Sequence, residues 1–252
     1  MQHRLLGGRS RGRGVARPAG GRRAASSARP LSRRARSEAA KQARRSAILS
    51  SAAEQLARGG YDSVTMASIA RAAGVAKGTP YLYWQGKAEL FLEVLSLEYQ
   101  GFVGALIEGL AGLPKPDERS VGQLIAREVH ARPGFVSLMG LLHGVLEDDV
   151  DVEQVVSFKR AILLQGLEVA RQLRRVFPWL SFERARRLVL TIHGAILAFR
   201  RMSDTPPGLR EALAHPDLAL LRVDLVSEVR DLVADLLVAA RVDALGEEPG
   251  GG

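Results

Sequence analysis

The residues with the clearest chemical use lie between Gly60 and Leu92, a run reading GYDSVTMASIARAAGVAKGTPYLYWQGKAELFL. Lys77, Gly78 and Thr79 are the early, exposed positions of a short helix expected over about Ala76 to Trp84. A basic, a minimal and a hydroxyl residue in that place can approach phosphates and base edges without a bulky obstruction. The elements that must position them are legible on either side. Ala70 is followed four residues later by Gly74 and then by apolar Val75. Two helices joined by a tight turn approach closely, so a small residue is needed where they touch and a glycine where the turn takes positive φ. Thr65 reads as the N-cap of the helix before the turn, in which Met66, Ile69, Ala70 and Ala73 recur at helical spacing.

Other chemistries find little support. The chain has no cysteine, which removes disulfides, thiolate metal sites and cysteine nucleophiles. It has no phosphate-binding Gly-x-x-x-x-Gly-Lys-Ser/Thr loop and no Gly-x-Ser-x-Gly nucleophile elbow, so no enzyme is expected and no cofactor is assigned. His130, His143, His193 and His215 form no pair at metal-ligand spacing. The acids Glu147, Asp148, Asp149 and Asp151 sit between two helices, where they cap and complement the next helix, so no metal is expected.

Charge is concentrated at one end. Fourteen of the 36 Lys and Arg residues lie in residues 1–45 against the single acid Glu38, leaving 22 bases and 26 acids in the rest. That is the footprint of a chain that meets a polyanion end-on. Residues 1–36 are Arg, Gly, Ala, Ser and Pro with almost no large apolar side chain, and read as a disordered basic tail. An organelle transit peptide or an overextended start are further readings of this segment. No run of 18 apolar residues and no secretory h-region occurs, so neither a membrane nor export is indicated and a cytoplasmic protein is expected.

From Glu38 onward, Pro and Gly punctuate helical patterns with no alternating strand, which predicts an all-α fold. The first helix is expected over about 37–58, stopped by Gly59-Gly60. A long helix follows from Lys87 to about Leu110, and Leu113-Pro114-Lys115-Pro116 marks a domain boundary. Further helices are expected near 118–131, 134–146, 151–176, 182–202 and 217–241. The organisation is then a tail over 1–36, a helix-turn-helix domain over 37–112 with the motif at about 65–84, a larger helical domain over 113–241, and a disordered end over 242–252.

The run from Ile48 to about Leu95 resembles the DNA-binding domain of the TetR family of transcriptional regulators: a helix, a helix-turn-helix, Tyr-x-Tyr-aromatic and a Lys-bearing fourth helix. The resemblance implies that Thr65 caps the second helix and touches a phosphate, and that Lys77, Gly78, Thr79 and Tyr81 face the major groove. It implies that Tyr83 and Lys87 clamp backbone phosphates and that Trp84 anchors the recognition helix. Arg45, on the basic face at the start of the first helix, and Pro80, inside the motif, join the candidates for the DNA face. The sequence departs from the commonest pattern at Ala76, Pro80, Trp84 and Gly86; Pro80 lies about one turn into the helix and can tighten or tilt it. The family also implies a homodimer, a double-stranded DNA operator and a small-molecule effector. An architectural DNA-binding dimer without small-molecule control is the alternative.

The remaining expectations concern the larger domain. Phe135, Met139, His143, Phe158, Gln165 and His193 lie on otherwise apolar helices and are candidates to line a largely apolar ligand pocket. In the family the last two long helices pair across a two-fold axis. Here Leu218, Leu221, Leu225, Val229, Leu232 and Leu236 give the last of them a broad apolar face that one small domain would not fully need.

Overall fold

The computed structural model describes residues 33–142 and 150–246, and among these all regular structure is helical. Contacts divide the chain into Met1–Ala39 and Ala40–Gly252. Of the first unit the described part is the opening of a helix; the rest of the expected tail, the stretch with His143, Glu147, Asp148 and Asp149, and residues 247–252 lie outside the described residues.

The first helix, α1, runs Arg33–Ser63, four residues earlier than expected and with a break at Gly60, where φ is 73°. Its Arg- and Ala-rich start favours helix even though residues 37–44 are exposed. Beyond the break a last turn ends at Ser63, whose hydroxyl donates to the Gly60 carbonyl at 3.0 Å. Ile48, Ala52 and Leu56 form the buried stripe. α2, Met66–Ala72, lies against it and buries Met66, Ile69 and Ala70. α3, Lys87–Gly112, is apolar enough by composition to cross a bilayer, yet half of that stretch is buried in the protein's own core. It runs from the small N-terminal bundle into the larger one.

The larger bundle consists of α4 (Glu118–His130), α5 (Pro133–Leu141), α6 (Val152–Val176), α7 (Phe182–Ser203), α8 (Pro207–Leu213) and α9 (Leu225–Gly246). α4 opens on a capping box between Asp117 and Ser120, the same device that opens α2. Asp151 caps α6 by accepting from the Glu153 amide at 2.8 Å. A charged knot closes the α4–α5 corner. Glu128, nearly buried, receives Arg132 at 2.5 Å and Arg127 at 3.1 Å. Burial pushes its carboxyl up, but the hydrogen bonds and charges of the two arginines together outweigh that and hold it below its ordinary range.

The C-terminal third differs from the sequence reading. In place of one helix over 217–241 stand a 3₁₀ turn over Pro216–Leu221 and α9, and α8 occupies part of the connection read between 202 and 217. Asp224 supplies the start that sequence reasoning missed: its carboxylate accepts from the Ser227 amide at 2.8 Å and its carbonyl from Glu228 at 3.0 Å. Leu218 and Leu221 therefore do not lie on the last helix at all. α9 instead extends five residues beyond the expected end. Its Val229, Val233, Leu237 and Ala240 are buried inside the protomer. The reason sits on α4: a Cβ on Gly122 would collide with the Arg230 carbonyl, so glycine there lets the α9 backbone settle onto α4.

Candidate nucleic-acid interface and internal cavity

The exposed segment after α2 rests on a well-fixed base. Thr65 and Ser68 cap reciprocally: each backbone amide donates to the other's hydroxyl at 3.1 Å. Ser68 Oγ also meets Gln55 Oε1 on α1 at 2.7 Å. At the turn Gly74 takes φ 67° and the Val75 amide donates to the Ala70 carbonyl at 3.0 Å. The positive φ and the buried small residue fall where the sequence put them.

The expected helix over Ala76–Trp84 is not an α-helix. It is a run of turns ending in a 3₁₀ turn over Pro80–Leu82. Thr79 donates to the Ala76 carbonyl at 2.8 Å, Leu82 to Thr79 at 3.1 Å and Tyr83 to Pro80 at 3.0 Å. Pro80 is the cause: it has no N–H to give the Ala76 carbonyl, which takes the tighter bond from Thr79 instead. Lys77, Gly78, Tyr81 and Leu82 are exposed, Thr79 is half-buried, and Pro80 is buried beneath them. Leu82, 79% exposed, was absent from the sequence candidates. An apolar residue on so short a helix reads as core, and nothing in the spacing marks it as outward.

Behind this face a polar cluster fixes the end of the segment. Trp84 is 2% exposed and its indole Nε1 donates to Glu93 Oε2 at 2.8 Å. The same oxygen receives Arg45 at 2.5 Å, and the Arg45 guanidinium lies 5.6 Å from the centre of the indole. The structure thus places Arg45 against Trp84 and Glu93, a contact that its place in a basic stretch did not suggest. Tyr83 donates from its hydroxyl to the Lys41 carbonyl at 3.3 Å. Lys87, the first residue of α3, sets its ammonium 3.8 Å from the centre of the Tyr61 ring. Desolvation there lowers its pKa, with Asp62 opposing the shift. Glu89 accepts from the Gln85 amide at 2.5 Å and from Gln154 of α6 at 2.9 Å.

A second feature lies in the larger bundle. Tyr99, Phe102, Phe135, Met139, Val169 and Ile192 are among the walls of a cavity of about 50 Å³. It adjoins an outer cleft of about 310 Å³ between α6 and α7, and the two share Tyr99, Gly166, Val189 and His193. Its polar side-chain groups are the Tyr99 hydroxyl, whose pKa burial raises, and the His193 imidazole. Tyr99 stacks edge-on to Phe135 at 5.6 Å and lies 6.4 Å from His193. Of the six residues expected around a pocket, Phe135, Met139 and His193 meet here. Phe158 does not; it lines a separate cleft beside Trp84 and Glu93. Gln165 lines neither feature; its Oε1 is buried with no hydrogen-bond partner. His143 lies outside the described residues.

The dimer candidates scatter in the same way. Val229 is buried against the protomer's own core and cannot meet a partner, Leu225, Leu232 and Leu236 are half-buried, and Leu218 and Leu221 are exposed in the connection before α9. The outward apolar residues of α9 are Val238, Val242 and Leu245.

Comparison with known proteins bears on the whole described body. Residues 48–94 match the family profile described as bacterial regulatory proteins, tetR family, and residues 96–240 match the tetracyclin repressor-like C-terminal domain. An HTH-type transcriptional regulator of Mycobacterium tuberculosis is 31% identical over 113 residues, 44% of this chain and 54% of that protein. The chain thus spans about half the length of the curated relatives it matches. Among solved structures, the multidrug binding protein EbrR, crystallised with imidazole, superposes with a TM-score of 0.51 at 16% identity over 77% of this chain and 94% of that one. The regulator FadR of Bacillus subtilis, solved with stearoyl-CoA, gives 0.49 at 18% identity over 77% and 97%. Two contiguous profiles that together take in the helix-turn-helix and nearly all of the larger bundle settle the assignment: the chain belongs to the TetR family of transcriptional regulators.

Proposed function

We propose that this chain is a ligand-responsive repressor of the cytoplasm whose homodimer binds a palindromic operator and is released by a small, largely apolar effector. The observation that carries this reading is the exposed set Lys77, Gly78 and Tyr81 with half-buried Thr79 among them, held on a base of caps, a buried proline and a buried indole. A Cβ on Gly78 would meet no atom of the protein. The protomer itself therefore has no need of glycine there, whereas a close-lying DNA backbone does. Lys77 and Thr79 read bases, with Tyr81 beside them. Thr65, Tyr83 and Lys87 contact phosphates, and Arg45, Pro80 and Trp84 support the face from behind. In domain terms, a basic arm over 1–36 adds phosphate contacts, residues 37–112 bind DNA, and residues 113–241 bind effector and dimerise, with 242–252 a tail.

The effector site is the cavity of Phe135, Met139 and His193 together with its outer cleft. The inner cavity alone, about 50 Å³, is far below the roughly 300 Å³ at the low end for ligand sites, and the outer cleft of about 310 Å³ supplies the rest. An effector that reaches from the cleft into the cavity parts α6 from α7, and that movement links it to DNA affinity. The dimer face is the outward stripe of α7, Leu190, Gly194, Ala198 and Met202 at a four-residue interval, with Val238, Val242 and Leu245 of α9. The small volume of the inner cavity also favours a second reading, an architectural DNA-binding dimer that no ligand controls. Selection of bound sequences from random DNA, with wild type and Lys77→Ala and Lys87→Ala, tests the main reading. Lys77→Ala relaxes preference at particular bases, while Lys87→Ala weakens all sequences alike and, with two copies in the dimer, makes the slope of a parallel salt titration shallower by about 1.8. Uniform weakening by Lys77→Ala refutes the base-reading role, and operator affinity indifferent to every ligand that binds the bundle favours the architectural reading.

A further inference from the structure

One helix joins the cavity to the DNA-facing segment through a side chain that neither site needs for itself. α6 is a continuous helix of 25 residues; its middle, at Gly166 and Val169, walls the cavity, and its first turn carries Gln154. Gln154 lies twelve residues before Gly166, about 18 Å along the axis at 1.5 Å per residue. Its amide nitrogen donates to Glu89 Oε1 at 2.9 Å, while Glu89 Oε2 accepts from the Gln85 backbone amide at 2.5 Å. Gln85 follows Trp84 directly, so a single carboxylate holds α6 with one oxygen and the end of the recognition segment with the other.

The surroundings leave room for this contact to move. A cleft of about 330 Å³ opens beside it, lined by Tyr83 and Trp84 on one side and Ser157 and Phe158 on the other. A rigid helix displaced at Gly166 transmits the displacement to its ends, and a charge-assisted hydrogen bond is directional enough to carry it to Glu89. We propose that Gln154 is the positioning residue through which the state of the cavity sets the orientation of the DNA-facing segment. This rests on the reading of the cavity as the effector site. The rival route is α3, which also spans both regions, from Glu89 at one end to Phe102 in the cavity wall.

The two routes separate in a double-mutant cycle that needs no identified ligand. The cavity is filled by Ile192→Phe, the hydrogen bond is removed by Gln154→Leu, and affinity for an operator selected from random DNA is measured for wild type, both single variants and the double variant. Thermal melts confirm folding, and Val189→Leu replaces Ile192→Phe if the latter does not fold. Filling the cavity is expected to weaken operator binding by about tenfold in the wild-type background, an ordinary coupling. In the Gln154→Leu background the same change should shift affinity by no more than about twofold. Exchanging the pair, Glu89→Gln with Gln154→Glu, keeps an acceptor for the Gln85 amide and a donor across the gap, and should restore the response that Gln154→Glu alone abolishes. A filled cavity that weakens binding equally in both backgrounds assigns the coupling to α3 and overturns the role of Gln154 while leaving the effector site in place. A filled cavity without effect even in wild type overturns the effector site and the coupling together.

Discussion

Glu93 is the place where a single substitution separates two contributions to the DNA-facing segment. Its Oε2 accepts from Trp84 Nε1 at 2.8 Å and pairs with Arg45 at 2.5 Å. The indole is buried, so Glu93→Ala leaves a desolvated N–H without an acceptor, which costs about 1–3 kcal/mol. The Arg45 pair is partly exposed, with side chains 38% and 21% accessible, and is screened accordingly. It contributes about 0–1 kcal/mol. The expected loss is about 2 kcal/mol, and at roughly 2–4 °C per kcal/mol for a body of this size the melting temperature falls by about 4–8 °C. Glu93→Gln keeps a carbonyl acceptor for the indole and loses only the charge, so it should cost about 1 kcal/mol or less. The measurements are melts followed by circular dichroism and tryptophan fluorescence, with operator affinity in parallel. Both variants should weaken DNA binding in the order of their destabilisation. If Glu93→Gln melts as low as Glu93→Ala, the ion pair and not the indole hydrogen bond holds the segment, and the reasoning fails.

Other predictions follow from single features of the fold. Gly74→Ala should destabilise by roughly 1–2 kcal/mol, because its φ of 67° is strained for alanine although a Cβ there meets no atom; an unchanged melt in urea would remove the strain argument. Glu128 has a folded pKa held below its ordinary value of 4.5, so its stabilisation is complete above that value and lost as pH falls through the lower folded pKa. The melting difference between wild type and Glu128→Gln should accordingly be largest well above pH 4.5 and shrink in acid, and a difference that grows in acid would reverse the sign. Leu190→Asp, at a position 66% exposed in the protomer, should leave the fold intact and shift a dimer to monomer in light scattering at micromolar concentration. A persistent dimer would move the interface off α7.

The sequence by itself determined the features that depend on local chemistry. The cap at Thr65, the turn at Gly74 and the small Ala70 each follow from what one residue type does to its own backbone, and all three occur at the expected positions. The all-α class followed from periodicity in the same way. The departure at Pro80 was also local, but its consequence was not, since a missing N–H can tilt a helix or change its hydrogen-bonding class. The tertiary structure shows that the missing N–H gives a 3₁₀ turn, with Pro80 and Trp84 buried beneath the exposed face. Long-range pairing was wholly tertiary. An apolar stripe such as Leu225 to Leu237 states that a face is covered, and cannot state by what. Gly122 on α4, about a hundred residues away in sequence, brings α9 against its own protomer and places Val229, one of the expected partner-facing residues, in the core. The cavity has the same origin. Phe135, Met139 and His193 were visible as apolar-helix residues, whereas Gly166, the gap between α6 and α7, and the Gln154–Glu89 bond exist only once distant helices meet. Burial free energy depends on the sum of contacts around a side chain, and that sum is fixed by packing across the chain rather than along it.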